Sequence, residues 1–357
     1  MTALTTRRAP SAPAQRPRSH RYRSLWITSL IGACALSVIA NIALGQYGIS
    51  PQRILESLAA GPFDAAGADA THSVVWNVRM PRVALGLLVG AALGVAGSLL
   101  QGLLGNPLAE PGVIGVTSGC AVGAAVAIVF NLVFVSTATV PVLAFISGIA
   151  TAALVYMLSS VRGSVKVVTL ILTGIAVNAV AGAAISFLVY LAPTTSREQI
   201  IFWQMGSLNG AQWPHVVTVL IPITVCVIIA IRISPSLDLL ALGERAAAHA
   251  GANMKLLRPA VIALSTALCA AAVSFAGIIS FVGLIVPHIL RQGIGPSNRW
   301  LVPLSAVGGA TLVTGADLVA RILISYSELP IGIFTALVGG PMFFMLLRRN
   351  LLKRGHI

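Results

Sequence analysis

The chain has 357 residues, of which 57% are hydrophobic and 9% charged, with a formal net charge of +14. Soluble domains carry roughly 25% charged residues, so an ordinary soluble fold is excluded. The surplus of positive charge matches attraction to anionic lipid and basic loops held on the cytoplasmic side, which removes the case for nucleic-acid binding.

Residues 1–23, rich in Arg, Pro, Ser and Ala, read as a disordered basic cytoplasmic tail. The first apolar run is long and lacks a small-residue cleavage site, so it reads as a span rather than a cleaved signal. Ten apolar segments are predicted, at about 24–45, 83–104, 113–135, 140–160, 167–192, 213–232, 257–276, 278–291, 302–323 and 329–347. The eighth is too short to cross alone and reads as a partial helix buried among the others. Residues 351–357 form a short C-terminal tail.

The second segment carries the densest information. Arg79 and Arg82 meet about 22 uncharged residues, a length that rises about 33 Å as a helix. The arginines are therefore expected at one membrane face and the Asn106-Pro107-Leu108-Ala109-Glu110-Pro111 loop at the other. Gly90, Gly94 and Gly97 suit close packing inside a bundle. Proline lacks an N–H and disfavours helix at the residue before it, so this helix must stop at the loop. The loop reads either as a turn with Asn106 as helix cap or as a constriction around Leu108 that closes a pathway from inside.

Between the first two spans, Pro51 opens a short predicted helix with Ile54, Leu55 and Leu58 on one face, and Gly61, Pro62 and Gly67 break the chain after it. The segment 193–212 has an interfacial character, with Phe202, Trp203 and Trp213 suited to the headgroup level. The longest polar connection, 233–256, carries Leu237, Leu240 and Leu242, then Gly243 and a short helix from Glu244 and Arg245 through Ala247 that ends near Gly251. A helical hairpin of this size has no membrane role and reads as a docking element. On the ninth span Asp317 and Arg321 stand four residues apart and are expected to pair along one face. Arg321 also joins Arg79 and Arg82 in a cationic rim suited to carboxylates of a partner. Glu328 to Gly332 reads as a turn that starts the tenth span, with Pro330 near its first position.

Basic residues set the orientation. With both termini cytoplasmic, the tail arginines, Arg162, Lys166, Arg232, Arg245, Lys255, Arg258, Arg291, Arg299, Arg348, Arg349, Lys353 and Arg354 lie inside, and Arg53, Arg79, Arg82, Arg197 and Arg321 outside. An odd number of spans would move one of the clusters outside. The four cysteines, Cys34, Cys120, Cys226 and Cys269, are far apart in apolar segments, which suits small buried hydrophobes and neither a disulfide framework nor a zinc site. The six histidines are scattered singly. No GxxxxGK[ST], GxSxG or HExxH occurs, so neither ATP hydrolysis nor other catalysis is expected of this chain, and no cofactor or metal is indicated.

Several of these stretches, in the same order, resemble the FecCD (BtuC-like) family of permeases from iron–siderophore and cobalamin ABC importers. They are RMPR at 79–82, VGAALGVAGSLLQ at 89–101, NPLAEPGVIGVTSG at 106–119, LALGERAAAHAG at 240–251, GIISFVGLIVPHILR at 277–291, GADLVAR at 315–321 and ELPIGIFTALVGGPMF at 328–343. The resemblance spans about residues 24–350 and implies an all-α, polytopic type II ABC importer permease of about ten transmembrane helices. It implies cytoplasmic ABC ATPases, an extracytoplasmic substrate-binding protein and a second permease, identical or paralogous, as partners. Arg79, Arg82 and Arg321 would meet the binding protein. Leu240, Leu242, Gly243, Glu244, Ala247 and Gly251 would couple to the ATPase, and Asn106, Pro107 and Leu108 would belong to the cytoplasmic gate. Ferric siderophores are the leading cargo, with cobalamin or haem as alternatives. An ion-coupled secondary transporter would want ionisable residues along its central pathway, whereas the clear candidates, Asp317 and Arg321, lie near one end and can neutralise each other. A receptor or scaffold without transport would have no use for the hairpin.

Overall fold

The computed structural model describes residues 20–62, 69–132, 136, 138–161, 164–165, 167–251, 253–324 and 327–353. The expectations for residues 1–19, for Gly67, Arg162 and Lys166, and for residues 354–357 lie outside them.

The elements run α1 (His20–Ala43), α2 (Pro51–Ala60), α3 (Ala70–Ser73), a π-helical stretch (Val74–Arg79), α4 (Met80–Leu104), a 3-10 turn (Pro111–Ile114), α5 (Val116–Val129), α6 (Thr139–Ser159), α7 (Val167–Leu191), α8 (Thr194–Met205), α9 (Trp213–Leu240), α10 (Glu244–His249), α11 (Met254–Ala276), α12 (Val282–Ile294), α13 (Asn298–Ile322) and α14 (Ile331–Lys353). Seven helices have spanning length and apolarity, and three shorter apolar ones lie at Val116–Val129, Val282–Ile294 and Ile331–Met345. Together they match the ten predicted segments. The exception to all-α structure among the described residues is a two-residue ladder pairing Ser160 with Val165 and Val161 with Ser164.

α4 is the axis of the bundle. It packs against α13, α11, α9, α12 and α1, and 78% of its apolar window is buried, against 17% for α7. Its small residues explain why. A Cβ on Gly90 would intrude on the backbone of Gly309 in α13, and one on Gly97 would intrude on that of Gly283 in α12. Backbones in van der Waals contact supply the packing that a hydrophobic driving force cannot provide between helices in lipid. The peripheral helices show the opposite pattern: α7 turns Leu172, Ile175 and Phe187 outward, an apolar shell suited to acyl chains.

Four features differ from the sequence reading. The second span begins at Ala70 rather than Val83, so Arg79 and Arg82 lie within a continuous 35-residue helical run, Ala70–Leu104. Asp69 starts it by accepting the His72 N–H at 2.8 Å, and Met80 N–H then bonds back to Val75. That i−5 bond is the π register. It lies just before Pro81, which has no N–H to give to its own i−4 carbonyl. The third span is shorter than predicted: Pro111 opens a 3-10 turn, Gly115 is left-handed at φ 84°, and α5 keeps 14 residues. The sixth is longer and continues as one helix to Leu240. In α2, Ile54 is buried while Leu55 is 66% exposed, so the two do not share a buried face.

Candidate functional sites at the two ends of the bundle

One end of the bundle collects the arginines. Arg79, Arg82 and Arg321 are all buried, each with partners inside the chain. Arg79 caps the C-terminus of α1: its guanidinium donates to the carbonyls of Ile42, Ala43 and Tyr47. Those carbonyls have no helical partner, and a cation there also complements the helix dipole. Arg82 forms the central ion pair. Its Nε and Nη2 reach Asp317 at 2.9–3.1 Å and its Nη1 reaches both oxygens of Glu328 at 2.9 and 3.0 Å. The expected Asp317–Arg321 pair is therefore corrected. Asp317 faces α4, and its carboxylate is held by a guanidinium from another helix in fork geometry. Arg321 instead donates to the backbone and side-chain oxygens of Asn41 at 2.9 and 3.1 Å, while its Nε has no hydrogen-bond partner.

Asn41 and Gln46 are members of this cluster that the sequence reading missed. Asn41 is 1% exposed and also donates to Thr314 O at 2.9 Å. Gln46 donates to the carbonyls of Arg321, Ile324 and Ser327 at the end of α13. The available signal was a lone amide in an apolar span, one turn after Ser37.

Beside this cluster lies a cleft of about 590 Å³ whose walls include Phe202, Trp203, Phe275, Glu198, Asn209 and Glu328. Its floor is a backbone junction. Ile331 N–H bonds to Gly206 O at 2.9 Å and Ser207 N–H to Ala276 O at 2.8 Å, which ties the ends of α8 and α11 to the head of α14.

The other end holds the broken loop and the hairpin. Gly105 ends α4 in the left-handed region at φ 59°, Asn106 Oδ1 accepts the Leu108 N–H at 3.0 Å, and Ala109 N–H bonds to Asn106 O. Asn106-Pro107 thus lies in a turn, but the helix cap expected at Asn106 falls on Gly105, and the Asn106 side chain holds the turn instead. Leu108 in turn packs in an apolar cluster with Leu284, Ile285, Phe281, Met342 and Phe343, where α12 and α14 meet the loop. Glu110 Oε1 accepts the Phe281 N–H at 3.0 Å, tying this break to the second one before α12.

In the hairpin, Leu240 packs against the main core, Leu242 is 71% exposed, and Gly243 adopts φ 100°, a value that favours glycine. Ala247 is fully buried, and α10 packs on α9 and α11. Gly251 closes the hairpin at φ 92°. The four cysteines are free.

A bundle of seven long and three shorter apolar helices, with a buried arginine cluster at one end, defines a multi-pass membrane protein. The chain belongs to the FecCD transport family, which it matches over residues 33–349. It is 39% identical over 288 residues to the hemin transport system permease protein HmuU of Yersinia pestis, covering 79% of this chain and 86% of that one. It is 36% identical to the vitamin B12 import system permease protein BtuC of Vibrio vulnificus, covering 93% and 97%. Further relatives are named for molybdate and siderophore transport. A solved metal-chelate type ABC transporter in an inward-facing conformation superposes with a TM-score of 0.80 at 34% identity, covering 91% of this chain and 99% of that one. The chain is thus an ABC importer permease of the metal-chelate type, a non-catalytic subunit whose ATPase is a separate chain.

Proposed function

We propose that this permease imports ferric siderophores. The observation that carries the reading is the match to the FecCD transport family over residues 33–349, together with a relative named as a probable siderophore transport permease, 36% identical over 335 residues. The second reading, haem or cobalamin by the same route, is favoured by the hemin and vitamin B12 relatives. Uptake in cells lacking this chain separates them. Loss of ⁵⁵Fe-siderophore uptake with radiolabelled cobalamin and haem uptake intact is the expected result. Loss of cobalamin or haem uptake alone contradicts it.

The same reading gives the two ends their partners. The hairpin end, which carries Arg232, Arg245, Lys255, Arg258, Arg291 and Arg299, faces the cytoplasm with both termini. There the hairpin of Leu240, Leu242, Gly243, Glu244, Ala247 and Gly251 engages an ABC ATPase, with Leu242 exposed on it and Ala247 buried behind it, and Asn106, Pro107 and Leu108 form the gate. A second permease, identical or paralogous, completes the pathway.

At the arginine end a substrate-binding protein docks. Because Arg79, Arg82 and Arg321 already have partners within the chain, an incoming carboxylate reaches Arg82 by exchange with Glu328, whose side chain is 30% exposed. Arg79 and Arg321 hold the surface in shape from beneath. Glu328→Gln removes the competing charge, so it is expected to tighten docking about three- to tenfold, as measured by binding-protein titration in nanodiscs. Unchanged affinity would remove the exchange.

A further inference from the structure

Asp238 lies in the last turn of α9, on the stem of the hairpin, and its carboxylate leaves its own helix. It accepts the Ser297 hydroxyl at 2.7 Å and the backbone N–H groups of Asn298 and Arg299 at 2.5 and 3.3 Å. Ser297 stands at the N-cap position of α13 yet makes no capping bond with its own side chain. It donates to Asp238 instead. The first turn of α13 is therefore capped by an acid from a different helix, and an anion there also meets the positive end of the helix dipole.

Two further contacts meet at the same point. Asn298 is 5% exposed. A Cβ added to Gly102, near the end of α4, would come within 2.9 Å of Asn298 Oδ1 and 3.1 Å of Leu237 Cδ1. The hairpin stem, the head of α13 and the last turn of α4 thus converge in one contact, four residues before Asn106. α10 packs on α9 and α11, so its displacement reaches both helices, and through α9 it reaches Asp238. From the Asp238 contact, α13 runs unbroken to Asp317, the partner of Arg82 at the opposite end.

We propose that Asp238 is the positioning residue that passes movement of the hairpin to α13 and to the end of α4, and so to the turn at Asn106–Leu108. With the cap in place, α9 and α13 move as one body. Without it, α9 slides past α13 and the turn does not respond. The inference rests on the hairpin and gate assignments proposed above.

The test uses the chain co-purified with its ATPase, with Cys34, Cys120, Cys226 and Cys269 replaced and Leu108→Cys introduced as a reporter. Maleimide labelling of the reporter is compared with and without ATP plus vanadate. In the parent, trapping is expected to change the labelling rate at least fivefold. In D238A the change is expected to fall below twofold while the ATPase still co-purifies, a combination that general unfolding does not produce. D238N keeps an acceptor oxygen and is expected to retain about half of the response. S297A removes one bond and leaves the charge, so it should fall between parent and D238A. The parent's full response in D238A overturns the proposal. If D238A does not accumulate in the membrane, the parent's full response in S297A overturns it. A parent that binds no ATPase, or shows no response at Leu108, overturns the hairpin or gate assignment itself and this inference with it.

Discussion

Arg82→Ala is expected to destabilise the protein more than any other single substitution at the arginine end. Arg82 and Asp317 are both buried, and the guanidinium is shared with Glu328. Removing one member of a buried pair leaves an uncompensated charge, at a cost of about 3–5 kcal/mol. Glu328 is partly exposed and can turn to water, whereas Asp317 cannot, so most of the cost belongs to Asp317. Thermal unfolding in detergent is expected to show a loss of roughly 5–10 °C. The double variant Arg82→Met/Asp317→Leu leaves no orphaned charge and is expected to recover most of that loss. A wild-type melting temperature for Arg82→Ala would mean that the pair does not hold α4 to α13.

Ala247→Trp is expected to act at the opposite end and on transport rather than on stability of the bundle. Ala247 is fully buried where α10 packs on α9 and α11. An indole there cannot be housed without pushing the six-residue α10 outward. The substitution lies between the spans Trp213–Leu240 and Met254–Ala276 rather than within one, so membrane insertion should be normal. Cargo uptake is expected to fall at least tenfold, and binding-protein-stimulated ATP hydrolysis with it, since a coupling of about 1–3 kcal/mol between hairpin and ATPase corresponds to changes of about 5–150-fold. Normal uptake by this variant would take the hairpin out of the coupling role.

The spans were legible because twenty apolar residues in lipid have few alternatives to a helix. The same is true of the hairpin, where Gly243 and Gly251 punctuate a run of helix formers. What escaped was the polar content of the arginine end. The THSVVWN stretch before Arg79 looks like a loop, and the π-helical continuation that absorbs Pro81 leaves no composition signal. A pair of arginines beside an apolar run is the usual mark of a membrane boundary, so burial of Arg79 and Arg82 was not visible. Their partners, from Ile42 to Glu328, are remote in the chain. Asp317 and Arg321 had the spacing of a helical pair, but α4 brings Arg82 against Asp317 from outside, and tertiary contact decides. Asp238 was hidden for the same reason, because its partners begin 59 residues later.

The arrangement accounts for how a chain without catalytic groups takes part in uphill transport. α4 and α13 touch backbone to backbone through Gly90 and Gly309, and they are cross-tied by Arg82 and Asp317 at one end. Two helices in such contact are suited to move as one body rather than to bend.

Reconstitution in sealed proteoliposomes tests the central claim most directly. The chain alone, the chain with its ATPase, and the chain with ATPase and loaded binding protein are compared for accumulation of labelled cargo against a gradient. Accumulation is predicted in the complete system with ATP, and in neither of the others above leakage. Uphill accumulation by the chain alone, driven by an ion gradient, would contradict the account.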